Sequence, residues 1–199
     1  KLIRERSLSS IINKVIFVIK SKIFLKNVVK AEYIITCGSE NAKNFNSFKS
    51  DTTNVIPSCS YDFILSKKKY VKKIKYSYFL FLDENLIYHT DFLTKNEIVE
   101  KEKIYYYELK RFFKFLENKF NIKIIIAAHP RANLIHTKNN FSEFDVFQNE
   151  TPSLVKYSKA CITSASTSSN FAVIYNKPII FITTNRMKKT RPSVEILAN

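Results

Sequence analysis

ACITSASTSSNFAVIYNKPIIFIT, residues 160–183, reads as one strand–helix–strand unit. ACITS (160–164) and PIIFIT (178–183) are short continuous apolar runs, the pattern of strands buried on both faces. Residues 166–176 between them are expected to form a helix. At the first junction, SASTSS (164–169) carries five hydroxyls in six residues and no charge, in a chain with one glycine among 199 residues.

The same alternation runs upstream. YSYFLFLD (76–83) reads as a buried strand. Residues 97–119 repeat apolar side chains at helical spacing, which predicts a helix burying Ile104, Tyr107, Leu109, Phe112, Phe113 and Leu116. IKIIIAA (122–128) is a second strand, and the polar stretch 131–149 reads as a loop. TPSLVKYS (151–158) opens with Thr151 as a helix cap and Pro152 as the first helical residue. Four such strands with helices between them predict an α/β domain. The expected fold is a Rossmann-like parallel sheet with helices on both faces and right-handed crossovers.

Ligands of open α/β sheets bind outside the carboxyl ends of the strands. That rule brings two clusters to one edge: His129, Pro130 and Arg131 after the second strand, and Ser164, Ser166, Thr167, Ser168 and Ser169 after the third. Helix N-termini carry unpaired N–H groups and partial positive charge, so small hydroxyl residues in a first turn suit an anion such as phosphate. Pro130 holds His129 in extended backbone and aims its ring out of the sheet edge. There the imidazole can hydrogen-bond a phosphate oxygen or pass it a proton, and Arg131 can pair with the same anion. Asp83, Glu84, His89 and Asp91, in LDENLIYHTD, fall at the same edge and are candidates for lining the cleft; capping of the following loop is the structural alternative. Glu150 is a candidate for a ribose hydroxyl.

Residues 31–65 are also α/β in character, with strands at AEYIITCG (31–38) and TNVIP (53–57) and a short helix at SENAKNF (39–45). The run KKKYVKKIKY (67–76) reads as a basic linker or hinge. The expected organisation is therefore 1–66 as the end of a first α/β domain, 67–76 as the hinge, and 77–199 as a second domain incomplete at its carboxyl end. Residues 11–29 are interrupted by Lys14, Lys20, Lys22 and Lys26, so they read as an amphipathic helix and not as a span.

Net charge is +16, with 16 Lys/Arg against 5 Asp/Glu in residues 1–75 and 17 against 12 in the remainder. A basic half points to an anionic partner: nucleic acid, acidic lipid or a phosphate-bearing substrate. Lysine as the default surface residue of an AT-rich coding sequence accounts for the same excess. Nucleic-acid-binding motifs are absent from the sequence, so no nucleic-acid partner is expected. Cys37, Cys59 and Cys161 are scattered, which argues against a zinc site or a disulfide framework and fits a reducing, cytoplasmic compartment. No metal and no cofactor are expected.

His129-Pro130 after one strand, followed by the Ser/Thr-rich turn 164–169 after a later one, resembles the nucleotide-sugar-binding half of a GT-B glycosyltransferase. The chain most resembles bacterial sialyltransferase-like enzymes that build capsule and lipooligosaccharide, over residues 76–183. The resemblance implies that 77–199 binds a nucleotide-sugar donor and that 1–66 ends an acceptor-side Rossmann-like domain. It implies an inverting, metal-independent transfer from a CMP donor of an acidic sugar to a glycan or lipid-linked glycan. His129 would then hold the donor phosphate or act as general acid, and Ser166–Ser169 would contact the phosphate or cytidine. The family also carries an acidic D/E-D/E-G motif that holds the general base. Its nearest counterpart, Asp83-Glu84-Asn85, lacks the glycine and lies in the wrong domain, so the base stays unassigned. A peripheral contact of the basic amino-terminal part with an anionic inner membrane would suit such acceptors. Two other readings stand beside this one. The first is a polyol-phosphate transferase or UDP-sugar epimerase-like enzyme of the same architecture, and the second is an inactive nucleotide-binding fragment.

Overall fold

The computed structural model describes residues 29–37, 48–89 and 101–184, together with residues 16 and 19. The chain divides into two compact units, Lys1–Ser60 and Tyr61–Asn199. Asp91, the helix read over 39–45 and, apart from Ile16, Ile19 and Val29, the helix read over 11–29 lie outside the described residues.

In the first unit, β1 (Tyr33–Cys37) and β2 (Asn54–Ser58) pair in parallel, with Ile35 opposite Ile56. Both strands fall where the sequence places them. Ile34 and Thr36 are buried while Tyr33 and Ile35 are exposed, the period-two alternation of a strand with one covered face.

The second unit is a five-stranded, all-parallel sheet. Its strands are β3 (Tyr78–Leu82), β4 (Lys123–Ala128), β5 (Asp145–Gln148), β6 (Ala160–Thr163) and β7 (Ile179–Phe181), in the order β5-β4-β3-β6-β7. Its helices are α1 (Tyr61–Ser66), α2 (Glu102–Phe120), α3 (Leu134–Asn140), α4 (Thr151–Tyr157) and α5 (Ser169–Ile174). The unit is thus α/β, with its parallel sheet flanked by helices. Counted from β3, the strand order is 3-2-1-4-5, compatible with a Rossmann-like sheet. The first strand lies at the centre, and the order reverses between β3 and β6.

Alternate residues of the central strands feed two cores. Phe81, Ile124, Ile126 and Ile162 pack with Tyr105, Tyr106, Leu109, Phe113 and Leu116 of α2. Tyr78, Leu80, Leu82, Ile125, Ala127 and Cys161 pack with Leu154 and Val155 of α4 and with Phe171 and Ala172 of α5. Burial on both faces is why these strands are apolar throughout and show no polar alternation.

Three expectations need correction. Residues 131–149 are not a loop: they contain α3 and the edge strand β5, so the sheet has five strands where four were read. Asn133 starts α3, its side-chain oxygen accepting the His136 N–H at 3.1 Å, and Phe141 and Phe144 anchor the connection to β5 in the α2 core. The buried stripe of α2 is also rotated at its first turn. Tyr105 and Tyr106 point inward, whereas Ile104 and Tyr107 are 49% and 59% exposed. Finally, α4 begins with Thr151 already helical and Glu150 as its cap, and α5 begins at Ser169 because Thr167 and Ser168 form a turn first.

Residues 61–76, divided by the sequence between a first domain and a hinge, belong to the second unit. Tyrosines strap them to it. Tyr157 Oη donates to the Tyr70 carbonyl, Tyr175 Oη to the Ser66 carbonyl at 3.1 Å, and Tyr76 Oη to Asp145 at 2.6 Å. Asparagine does the work that glycine does elsewhere. The four described non-glycine residues with positive φ are Asn85, Asn121, Asn149 and Asn176. Asparagine, whose short polar side chain can bond locally, tolerates left-handed backbone better than most residues with a β-carbon, and a chain with one glycine relies on it.

Candidate functional site

The carboxyl edge of the sheet is organised by two adjacent acids. Asp83 and Glu84 leave the end of the central strand and are both buried, at 4% and 8% exposure. One reaches the loop on either side. The Asp83 carboxylate accepts the Asn85 N–H at 3.0 Å and the backbone N–H of His129, which follows β4. Glu84 Oε1 accepts the N–H groups of Ser164 at 3.0 Å and Ala165 at 2.6 Å, which follow β6. Asn85 then turns the chain with left-handed backbone (φ 51°, ψ 41°), the conformation a glycine would supply at that place. Asp83 and Glu84 therefore brace the site and do not reach into a cleft with their carboxylates.

This bracing changes what the hydroxyl turn has to offer. The sequence puts an anion on the N–H groups at the start of α5. In the structure those groups are taken: Ser164 and Ala165 by Glu84, Ser166 by Thr163 Oγ1 at 3.2 Å, and Ser168 by Ser166 Oγ at 3.2 Å. Ser169, Asn170 and Phe171 donate to the carbonyls of Ser166, Thr167 and Ser168. The O–H groups are in a different position. Among the described residues, the side chains of Ser164, Thr167, Ser168 and Ser169 make no hydrogen bond, and Thr167 is exposed at the tip of the turn. The hydroxyls, together with the Thr167 N–H, are the groups left for a ligand.

The His-Pro turn is equally defined. His129 Nδ1 accepts the Arg131 N–H at 3.1 Å, and the His129 carbonyl accepts the Ala132 N–H at 2.9 Å. The Gln148 amide donates to the carbonyls of His129 at 2.9 Å, Pro130 at 3.3 Å and Ala132 at 2.9 Å, tying the turn to β5. With Nδ1 accepting, the neutral ring carries its proton on Nε2. Burial, then the nearby Arg131 and His89, hold the His129 pKa below its ordinary value, so the ring is a neutral hydrogen-bond donor at physiological pH. The His89 ring meets that of His129 edge-on at 6.3 Å. The structure thus brings His89, His129 and the bracing acids to one edge. Arg131 is exposed beside them, whereas Glu150 is engaged with Lys73 at 2.7 Å.

One cluster at this edge was missed from sequence. Glu102 at the start of α2 accepts from Tyr88, and His136 Nε2 lies 2.8 Å from Glu102 Oε1 and 2.9 Å from Asn140 Nδ2, which is itself 3.4 Å from the same carboxylate oxygen. The Tyr88 ring packs edge-on against His136 at 5.2 Å. The Tyr88 hydroxyl foremost, then His136 and Asn140, hold the Glu102 pKa below its ordinary value. The i,i+4 spacing of His136 and Asn140 was visible in the sequence; the approach of Glu102 and Tyr88 from other elements was not.

Burial pushes the Asp83 pKa up to about 6, and the neighbouring Glu84 adds to the rise against the two backbone N–H donors. An unfolded aspartate loses its proton near pH ~4. Between those values the folded chain binds more protons than the unfolded one, so stability falls as pH rises through that window. The expected loss is on the order of 2–3 kcal/mol. Asp83→Asn should abolish this slope in urea titrations run from pH ~4 to ~7. A slope that persists in the variant assigns the effect to another group.

Comparison with family models and with curated proteins finds no match. The functional reading therefore rests on the residues of this edge.

Proposed function

We propose that the second unit is the donor-binding half of a GT-B glycosyltransferase that moves an acidic sugar from a CMP donor to a hydroxyl of a bacterial surface glycan or lipid-linked glycan. The observation that carries the reading is His129, a neutral imidazole whose Nε2–H is turned away from its own loop at the carboxyl edge of a 3-2-1-4-5 sheet. A fixed donor there stabilises the charge that develops on the phosphate oxygen as the sugar leaves. The uncommitted hydroxyls of Thr167–Ser169 follow the neighbouring strand and suit the remaining phosphate oxygens or the nucleoside, whereas Ser164 is buried beneath them. Arg131 adds positive charge on the exposed side.

Membrane proximity fits the same reading. No helix among the described residues is long and apolar enough to cross a membrane. Lys67, Lys68, Lys69, Lys72, Lys73 and Lys75 are all exposed along one strap, which suits peripheral contact with anionic lipid near a lipid-linked acceptor.

Calorimetric titration with CMP, CDP and UDP tests the proposal. CMP should bind in preference to the other two. His129→Ala should weaken it about ten- to a hundredfold, the loss of one hydrogen bond to a charged group. Thr167→Val should weaken it about two- to tenfold. A preference for CDP or UDP moves the assignment to a polyol-phosphate or UDP-sugar enzyme, and no binding of any of the three ends the donor-site reading.

A further inference from the structure

Residues 61–76 of the second unit face two ways. Inward, Leu65 and Ile74 pack with α4 and α5 on one side of the sheet, and the Ser66 and Tyr70 carbonyls accept the Tyr175 and Tyr157 hydroxyls. Outward, the lysines stand together with apolar side chains: Tyr61 is 71% exposed, Ile64 51% and Val71 79%. Val71 lies within KKKYVKKIKY, so the most exposed apolar side chain of the segment sits in its most basic stretch. The one acid of the segment, Asp62, is bonded to Asn170 of α5, whose Nδ2 donates to it at 3.0 Å.

Two helices extend this surface. Val173, three residues beyond Asn170 and therefore on the same side of α5, is 69% exposed. Lys156 of α4 adds a cation, its Nζ 6.0 Å from the centre of the Tyr70 ring. Single exposed apolar side chains are ordinary on any protein. Here they are gathered, and the charge around them has one sign. The outer side of α2 makes the contrast: Tyr107 and Phe115 are exposed there too, but among Glu108, Arg111, Lys114 and Glu117, which pair with one another.

A basic surface with apolar side chains standing out of it suits a bilayer of anionic phospholipid. The lysines meet headgroup phosphates, and the apolar side chains enter the boundary between headgroups and acyl chains. A single-stranded RNA would use the lysines, but its bases stack on aromatic rings and leave the aliphatic Ile64, Val71 and Val173 without a role.

We propose that α1, the 67–76 strap and the outer side of α5 form one membrane-docking surface, in which lysines hold anionic phospholipid and Tyr61, Ile64, Val71 and Val173 insert. Insertion separates this from adsorption of the strap by charge alone, because salt screens the lysines and not the buried apolar area. The surface also borders the candidate donor site. Asn170, bonded to Asp62, directly follows the hydroxyls of Thr167–Ser169. A lipid-linked acceptor can then reach that edge without leaving the bilayer; this use, unlike the docking itself, rests on the sugar-transfer reading given above.

The full chain has no tryptophan, so Val71→Trp places a single reporter on the surface, and Tyr107→Trp places a control on α2, which packs on the other side of the sheet. With vesicles of phosphatidylcholine and phosphatidylglycerol in equal parts, the emission of Val71→Trp should move to shorter wavelength and that of Tyr107→Trp should stay. Vesicles of phosphatidylcholine alone should shift neither. In co-sedimentation with the anionic vesicles, Ile64→Ser combined with Val71→Ser should weaken binding about ten- to a hundredfold and remove the part that survives high salt. Lys68→Gln, Lys69→Gln and Lys72→Gln together should weaken it about a hundredfold at low salt. An unshifted Val71→Trp on vesicles that bind, or binding that the serine pair leaves unaltered and salt abolishes, reduces the surface to charge adsorption and overturns the proposal. Absence of binding to the anionic vesicles overturns it as well, and capture of single-stranded RNA by the same lysines would then make this a nucleic-acid surface. Titration of the wild-type chain with CMP, CDP and UDP is read separately. Vesicle binding without nucleotide binding keeps the docking surface and ends the donor-site reading; CMP binding without vesicle binding keeps that reading and ends the docking surface.

Discussion

Glu84→Ala is expected to cost about 3–5 kcal/mol of folding stability. The carboxylate is buried, and one oxygen receives two backbone N–H groups from a loop 80 and 81 residues away in sequence. Truncation to alanine leaves both donors without a partner and opens a void where the side chain stood. Glu84→Gln keeps a carbonyl oxygen in place and loses only the charge that strengthens the two bonds, so its cost should be nearer ~1–2 kcal/mol. Urea titrations of the three proteins give the ranking directly, provided the slope with denaturant is the same in each. A loss below about 1 kcal/mol for the alanine variant would show that water replaces the carboxylate and that the brace is not what holds the edge. The variant also separates structure from ligand binding. If the hydroxyls of Thr167–Ser169 need the brace to stay in register with His129, CMP affinity falls in Glu84→Ala even where the protein is fully folded.

Phe113→Ala should be as damaging, at about 3–5 kcal/mol, for a different reason. Phe113 is fully buried and stands among aromatic rings: Phe81 at 5.0 Å, Phe144 at 5.6 Å, Phe112 at 6.1 Å and Phe141 at 6.2 Å. Interlocked rings at fixed angles cannot collapse into the space a missing ring leaves, so most of the cavity cost remains. Tyr107→Ala is the control. Its ring is 59% exposed, and the change should stay within about 0.5 kcal/mol. Comparable losses from both variants would mean that the inward face of α2 is wrongly placed. Chemical denaturation of the two variants side by side decides it.

These cases also mark what was legible in the chain. YFLFL, KIIIAA and ACIT were readable as parallel strands because burial on both faces leaves no room for polar side chains, and that is a local signal. The strand DVFQ was not readable. It is four residues long, half-buried, and paired on one side only, so its composition carries little of its structure. The inward stripe of α2 was misjudged where Ile104, Tyr105, Tyr106 and Tyr107 offer four apolar residues in a row, since periodicity cannot choose among them. At the site, His129-Pro130 and the hydroxyl cluster stood out as composition against the rest of the chain. The partner of that cluster did not. Nothing local to Glu84 says that its carboxylate ends on Ser164 and Ala165, and nothing local to Glu102 says that His136 will meet it. Both are products of strand order, which brings together residues that the sequence keeps far apart.

Strand order has a further consequence, for the growing chain. The centre of the sheet is its first strand, and one flank of β3 is filled only when β6 arrives. Until residues 160–163 have been made, Tyr78–Leu82 is an open sheet edge of five apolar residues, with unpaired N–H and C=O groups along it and Glu84 waiting at its end without the loop it will bind. Such an edge is a template for pairing with another copy of itself. The lysine-rich strap that precedes it, residues 67–75, puts a run of like charge beside that edge through the whole interval, and repulsion between nascent chains is the protection the sequence carries at the place that needs it.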